Sequence, residues 1–412
     1  MSALASRDVL RPGPKGAKAI LQRAVVAAIP WFFGLLRRFK PIVRFGGTTL
    51  TSRYDDVREV LAIDPAFGVV YTPKLDVIMG GQPFFLGMHD TQTYRDDIAA
   101  MLRVVRRDDL PALAGRAEAR AAEIVAQAPG RIDVVDTLVR RVTFEILGDY
   151  FGVPEPADGD LRVWATRLFE FQFASSPKDG ELAAQAKEIA PAFRAHIDFE
   201  IARRKAEESR HDDVMARCLT LQAAGVPGYS DTEIRTALLC MIVGGPPQPP
   251  MVVPQAMEQL LRRPAALAAA CAAARSDNNS LLHDLVREAM RFDPLAPGLP
   301  RQATEDVIVA RGTRRETKIP GGSTVIAAFS SAMMDQRRVP DPRQFDSKRL
   351  PHEYIHFGHK LHECFGRHIN GATLHLMLKP LLKRLNVRRA AGAEGHLTKR
   401  GPFAERLVVR FD

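Results

Sequence analysis

The sequence predicts a mainly α-helical chain with a small β-lobe, and its 412 residues allow one large domain or two lobes. Three observations predict it. Apolar residues recur at helical spacing through residues 110–225 and again through 231–292, punctuated by proline and glycine. Short strand-forming runs with glycine turns are confined to about residues 40–65 and 300–330, which keeps the sheet a minor lobe. One cysteine, Cys364, stands in a glycine-flanked loop, Phe357 to Gly366, just ahead of a long helical pattern that starts near Arg367. A hydrophobic content of 46% is enough to fill a large core.

Taken in order, residues 1–17, with Pro12 and Pro14, read as a loose tail. Ala24 to Phe39 is apolar, broken by Pro30 and closed by Arg37 and Arg38. It is too short and interrupted to span a bilayer, and suits a helix that caps the body or one that lies on a membrane surface. Ile42 to Phe45, Gly46-Gly47 and Thr48 to Leu50 read as a β-hairpin, and Tyr54 to Leu61 as a helix with Val57, Val60 and Leu61 on one side. Gly68 to Asp90 has no clean period and reads as a long loop, often a functional element. Asp90 or Thr91 then caps a helix running through Met101. Ile132 to Phe151 is the strongest helical pattern, and Trp164, Leu168, Phe169, Phe171 and Phe173 form an aromatic cluster before a break at Pro177. Between the helical ends of Asp231 to Pro264 lies Gly244-Gly245-Pro246-Pro247-Gln248-Pro249-Pro250. An interior proline costs a regular helix about 3 kcal/mol, so this centre must be a break or a widened, irregular turn. Leu281, Leu285, Ala289 and Phe292 share one helical face, with Glu288 and Arg291 on the other, near enough to pair. A helix follows Cys364 through Leu378, and Leu407 to Phe411 reads as a closing strand.

The four cysteines, Cys218, Cys240, Cys271 and Cys364, lie far apart with no CxxC pair and no secretory leader, which points to reduced thiols in a cytoplasm and away from disulfide or zinc scaffolds. A formal net charge of +10 suits acidic partners. Nucleic acid is set aside among these, because the basic residues are spread along the chain and form no stripe interleaved with aromatics. A thiolate at Cys364 would sit near a helix N-terminus, where backbone N–H groups favour negative charge and lower the thiol pKa; such a sulfur can bind iron. The bland alternative is a buried cysteine at an ordinary loop–helix junction.

The spacing of Phe357, Cys364 and Gly366 resembles the haem-ligand loop of the cytochrome P450 family. The resemblance implies a single haem-thiolate domain over residues 1–412, haem b with Cys364 as axial thiolate, and a haem-propionate contact at His362. Lys360 departs from it, standing where the family keeps glycine, and a lysine at positive φ is strained. Further matches occur in the family's order: the broken helix, the pair Glu288 and Arg291, and Arg349 in Phe345-Asp346-Ser347-Lys348-Arg349, which in the family locks that pair. Arg301 matches a propionate contact, and Ile319 to Val325 a hairpin with a tight turn. Where the family has a His and, four residues on, an Arg reaching the propionates, this chain has Tyr94 and Ile98, with Arg95 the nearest cation. The segment around the aromatic cluster would roof the substrate pocket with apolar side chains, which favours a small lipophilic substrate.

In family members that activate O₂, the broken helix carries an acid followed by an alcohol that relay protons. The matching positions here are Pro247 and Gln248, and neither titrates near neutral pH. Gln248 can instead donate a hydrogen bond to an oxygen already attached to iron. Three classes follow: a peroxygenase or hydroperoxide isomerase acting on a lipophilic, fatty-acid-derived substrate; a conventional monooxygenase fed by a ferredoxin; and a non-catalytic haem or ligand binder. The structural alternative for Gln248 is that it only satisfies backbone groups freed by the prolines.

Overall fold

The two stretches marked as strand-forming meet in one sheet. Its order is Ile42–Phe45, Thr48–Thr51, Thr324–Ala327, Leu299–Ala303, Phe67–Val69. The first two strands are the expected hairpin, with Val43 opposite Leu50. Thr48–Thr51 runs parallel to Thr324–Ala327, which pairs antiparallel with Leu299–Ala303. The helix Tyr54–Ala62 buries Val57, Val60 and Leu61 in one cluster with Phe67, Val325 and Phe329. Each such side chain contributes about 1.5–3 kcal/mol relative to exposure.

The computed structural model describes residues 3–13, 16–176, 178–207 and 211–412; Pro14 and Pro177, both read as punctuation above, lie outside them. The chain packs as two compact units. The sheet belongs to the unit formed by Arg11–Val70 and Asp284–Arg367, and the other unit comprises Met1–Leu10, Tyr71–His283 and His368–Asp412.

Two expectations for the sheet-bearing unit need correcting. Ile319 to Val325 holds a tight turn, with the Ser323 N–H donating to the Pro320 carbonyl at 3.2 Å and Gly322 at φ +78°. It is not a hairpin: Thr317–Ile319 pairs with Val307–Val309, whereas Thr324–Ala327 joins the larger sheet. The turn's own polar groups are taken by Ala303, whose N–H donates to Ser323 and whose carbonyl accepts from Gly322. Second, Pro30 does not break the apolar stretch, which is one helix, Gly16–Phe39. A single missing hydrogen bond does not end a helix of this length when its C-terminal turn is anchored. Arg37 supplies that anchor, donating to the Ser331 hydroxyl at 2.9 Å and the Ser331 carbonyl at 3.2 Å.

The helical unit packs Leu161–Phe169 and Asp231–Gly244 against the long helix Gly180–Ala206. Trp164 lies 5.7 Å from Phe193 and Phe169 4.9 Å from Phe173, so the aromatic cluster is largely core. Ile132, read as the start of the strongest helix, sits in the strand Arg131–Asp133, opposite Val409 of the closing strand Val408–Arg410. The supposed long loop contains a helix, Thr72–Met79, which buries Leu75, Ile78 and Met79. Nor is the described part of the tail loose. Arg167, itself buried, donates to the carbonyls of Val9 (2.6 Å) and Asp8 (2.7 Å), and Arg7 donates to the Gly159 carbonyl at 2.7 Å. Composition cannot show this, because the tail is held through its backbone by a side chain more than 150 residues away. Among the described residues, no helix is long and apolar enough to cross a membrane.

Candidate haem-thiolate site

The cysteine loop is shaped by its backbone. The Cys364 N–H donates to the Phe357 carbonyl at 2.8 Å, closing the loop, and the Glu363 N–H donates to the Lys360 carbonyl at 2.9 Å. Gly358 takes φ +82°, and a Cβ there would come within 3.2 Å of the His362 carbonyl oxygen. Lys360 takes φ +59°, so the lysine adopts the left-handed turn that a glycine would make, at a cost of about 1–2 kcal/mol. The helix Arg367–Lys383 begins immediately after.

Cys364 is half-buried, whereas Cys218, Cys240 and Cys271 are buried; all four are free thiols. Burial pushes the Cys364 thiol up to about 11, against the pull of the Gly366 N–H and the Arg367 guanidinium. That reverses the lowered pKa expected from the helix N-terminus, because desolvation outweighs the dipole. A coordinating metal removes such a proton outright. Burial raises the other three thiols as well.

Phe357 is half-buried, with His356 set edge-on 5.5 Å away. The His362 side chain is 6% exposed, with Nε2 4.0 Å from Asp64 Oδ1. Arg301 is buried on the strand Leu299–Ala303 and donates to the Pro300 carbonyl at 3.2 Å. In the other unit, Thr91 caps the helix Gln92–Val104 by accepting from the Tyr94 N–H. Tyr94 is buried, its ring edge-on to Phe85. Arg95, one residue on, turns to the exposed side and pairs with Asp90 at 2.6 Å. Tyr94 and Arg95 therefore face different surroundings.

Glu288, Arg291 and Arg349 come together. Arg291 is fully buried and forks onto Glu288, with Nε to Oε2 at 2.8 Å and a terminal nitrogen to Oε1 at 2.7 Å. It also donates to the carbonyls of Met333 (2.9 Å) and Gln344 (3.3 Å). Arg349 reaches Glu288 Oε1 at 3.2 Å and binds the carbonyls of Pro340, Asp341 and Gln344. Sequence reasoning missed Glu353, 3.1 Å from Arg349, and Tyr354, whose hydroxyl donates to Glu288 at 3.2 Å. The four-residue spacing of Arg349 and Glu353 was the available signal for the first.

The proline segment ends one helix and starts another. Asp231–Gly244 stops, residues 245–248 turn, and Pro249–Leu261 continues. Pro247 is buried and Gln248 half-buried; the Gln248 amide donates to the Gly244 carbonyl, and its own N–H donates to Gly245 at 3.1 Å.

The donors fit a haem. A cysteine sulfur that receives a backbone N–H suits iron, and a buried guanidinium with an imidazole suits carboxylates on the same group.

The family profile described as Cytochrome P450 matches residues 163–402, more than half of the chain. Among curated proteins, a bifunctional dioxygenase–epoxy alcohol synthase of Pyricularia oryzae is 33% identical over 102 residues, and the chain spans only 9% of that protein. Cyclomarin C epoxidase CymV of Salinispora arenicola is 26% identical over 280 residues, 67% of each chain. Cytochrome P450 monooxygenase PikC of Streptomyces venezuelae is 24% identical over 261 residues, 63% of this chain and 58% of that one. The ligand-free structure of cytochrome P450 TbtJ1 aligns with a TM-score of 0.77 at 24% identity, covering 94% of this chain and 98% of its own, which carries the fold. On the profile match and this shared fold, the chain belongs to the cytochrome P450 family, whose members are oxidoreductases.

Proposed function

We propose that the protein is a haem-thiolate oxidoreductase on a small lipophilic substrate that takes its oxygen from a peroxide: the substrate's own hydroperoxide group, as in a hydroperoxide isomerase, or a supplied peroxide, as in a peroxygenase. The observation that carries this is the break after Gly244. From Gly244 to Pro250 no side chain can give up a proton near neutral pH, and by the family resemblance Pro247 stands where the acid would be. Cys364 would hold the haem iron, with Phe357 and Gly366 shaping the loop and His362 and Arg301 serving the propionates. Bound there, haem supplies one-electron chemistry at an iron–thiolate centre. Gln248 supplies a hydrogen bond that orients a substrate oxygen, and the proline backbone withholds a proton relay. Rearranging a hydroperoxide moves oxygen within one molecule and draws no electrons from a partner. The Pyricularia relative's name joins a dioxygenase to an epoxy alcohol synthase, and an epoxy alcohol is an isomer of an unsaturated hydroperoxide.

The test is turnover of a fatty-acid hydroperoxide without reductant, followed by product analysis. Consumption should proceed without NAD(P)H or ferredoxin, and Gln248→Leu should lower it by about 10²–10³ with little change in substrate binding. A second reading, an O₂-dependent monooxygenase fed by a ferredoxin, draws on the longer alignments to an epoxidase and a monooxygenase. Efficient hydroxylation with ferredoxin, NAD(P)H and O₂, together with no hydroperoxide turnover, would establish that reading instead.

A further inference from the structure

The helix Gly16–Phe39 leaves much of its apolar surface uncovered. Leu21, Val25, Phe32, Leu35 and Phe39 follow one another at steps of four, seven, three and four residues, which places them on one side of the helix. All five are exposed, as is Trp31 beside them, at 70%. Phe33, on another side, is buried, whereas Val26, seven residues before it on that same side, is 48% exposed, so among the described residues the burial is confined to the C-terminal part of the helix. The open stripe is ~27 Å long at 1.5 Å per residue.

Charge identifies the occupant. Between Asp8 and Asp55 the chain has no carboxylate and nine basic residues. Of these, Arg38 and Lys40 are exposed at the end of the helix, and Arg44 is exposed on the strand that follows. Exposed apolar side chains with aromatic rings among them and cations at the helix end suit insertion into the interfacial layer of a bilayer. We propose that this helix, with the basic residues Arg38, Lys40 and Arg44, is a peripheral anchor for an anionic phospholipid surface. The proposal does not rest on the oxidant that the protein uses.

The test uses the full chain and vesicles of phosphatidylcholine with or without phosphatidylglycerol. There are two tryptophans, Trp31 exposed and Trp164 4% exposed, so a Trp164→Phe background reports on Trp31 alone. The protein should co-sediment with the anionic vesicles, with Trp31 emission shifted to the blue and quenched by brominated acyl chains. Added salt should weaken the binding, and each of Arg38→Ala, Lys40→Ala and Arg44→Ala should lower vesicle affinity about fivefold. Trp31→Glu combined with Phe32→Glu changes only exposed positions and should abolish quenching and co-sedimentation while leaving the thermal melt unchanged. No co-sedimentation, or binding without quenching of Trp31, overturns the proposal. So does concentration-dependent self-association that the same double substitution abolishes, which would make a second copy of the chain the occupant.

Discussion

Removing Arg291 should do more damage than any other single truncation in the sheet-bearing unit. Its guanidinium makes two bonds to Glu288 and reaches the carbonyls of Met333 and Gln344, all from a fully buried position. It is also the largest side chain among those fully buried, so Arg291→Ala combines a cavity with an uncompensated carboxylate. Glu288 would keep Arg349, the Asp346 N–H at 3.0 Å and Tyr354, which moderates the loss without cancelling it. Breaking a buried pair typically costs about 3–5 kcal/mol. For a chain of 412 residues unfolding as one body, about 4 kcal/mol lowers the midpoint by roughly 5 °C. Arg291→Lys should recover little, since an ammonium cannot fork onto both carboxylate oxygens. Glu288→Gln with Arg291→Met, which removes both charges, should cost less than the two single changes added together. Denaturant unfolding of the four proteins measures the coupling. An Arg291→Ala protein within about 0.5 kcal/mol of the parent would refute the reasoning, because surface-like changes lie in that range.

Three further outcomes are expected. Cys364→Ala should lose the red-shifted Soret band of the ferrous–CO complex; haem retained with that band unchanged would remove Cys364 from the iron. Lys360→Gly should raise the melting temperature, because relief of about 1–2 kcal/mol of left-handed strain exceeds the roughly 0.5–1 kcal/mol entropic cost of glycine; a lower melting temperature would contradict it. Burial, with help from Glu233 and Asp96, raises the Asp97 carboxyl to about 6. An acid raised in the folded state is ionised at a cost, so this penalty is absent below the unfolded value of about 4 and complete above about 6. Asp97 is half-exposed, and screening holds the penalty to at most about 1 kcal/mol. Asp97→Asn should therefore stabilise the protein at pH 8 and flatten its stability between pH 4 and 6, which denaturant titrations at several pH values would check.

Local signals were legible where one residue type dictates backbone geometry. Gly46-Gly47 marked the hairpin, Thr91 the helix cap, and the prolines after Gly244 the break. The helix Thr72–Met79 went unread although Pro73 lies in its first turn and Gly80 follows its end, because eight residues carry too few apolar repeats to show a period. Pro30 was misread for the opposite reason: a local rule was applied where tertiary contacts decide. The pair Glu288 and Arg291 was visible as spacing alone. Its burial was not, since that depends on carbonyls from residues 333 to 344 that only the folded chain brings near.

Gln248 holds two roles that one substitution can separate. Pro246 and Pro247 carry no N–H, so the last turn of the helix Asp231–Gly244 cannot be closed in the ordinary way. Gln248 stands in for them: its main-chain N–H bonds to Gly245 and its side chain donates to the Gly244 carbonyl. The side-chain amide has a second N–H, which can serve a substrate oxygen. If the amide acts only on the backbone, Gln248→Leu leaves a carbonyl without its donor and should lower stability by about 1–3 kcal/mol, with turnover per folded molecule unchanged. If it also orients the substrate, turnover should fall by the larger factor of about 10²–10³ and KM should stay near the parent value. Unfolding and steady-state kinetics on the same preparation tell the two apart. A full-activity, destabilised Leu variant would return Gln248 to the helix break and leave the prolines alone to explain the missing relay.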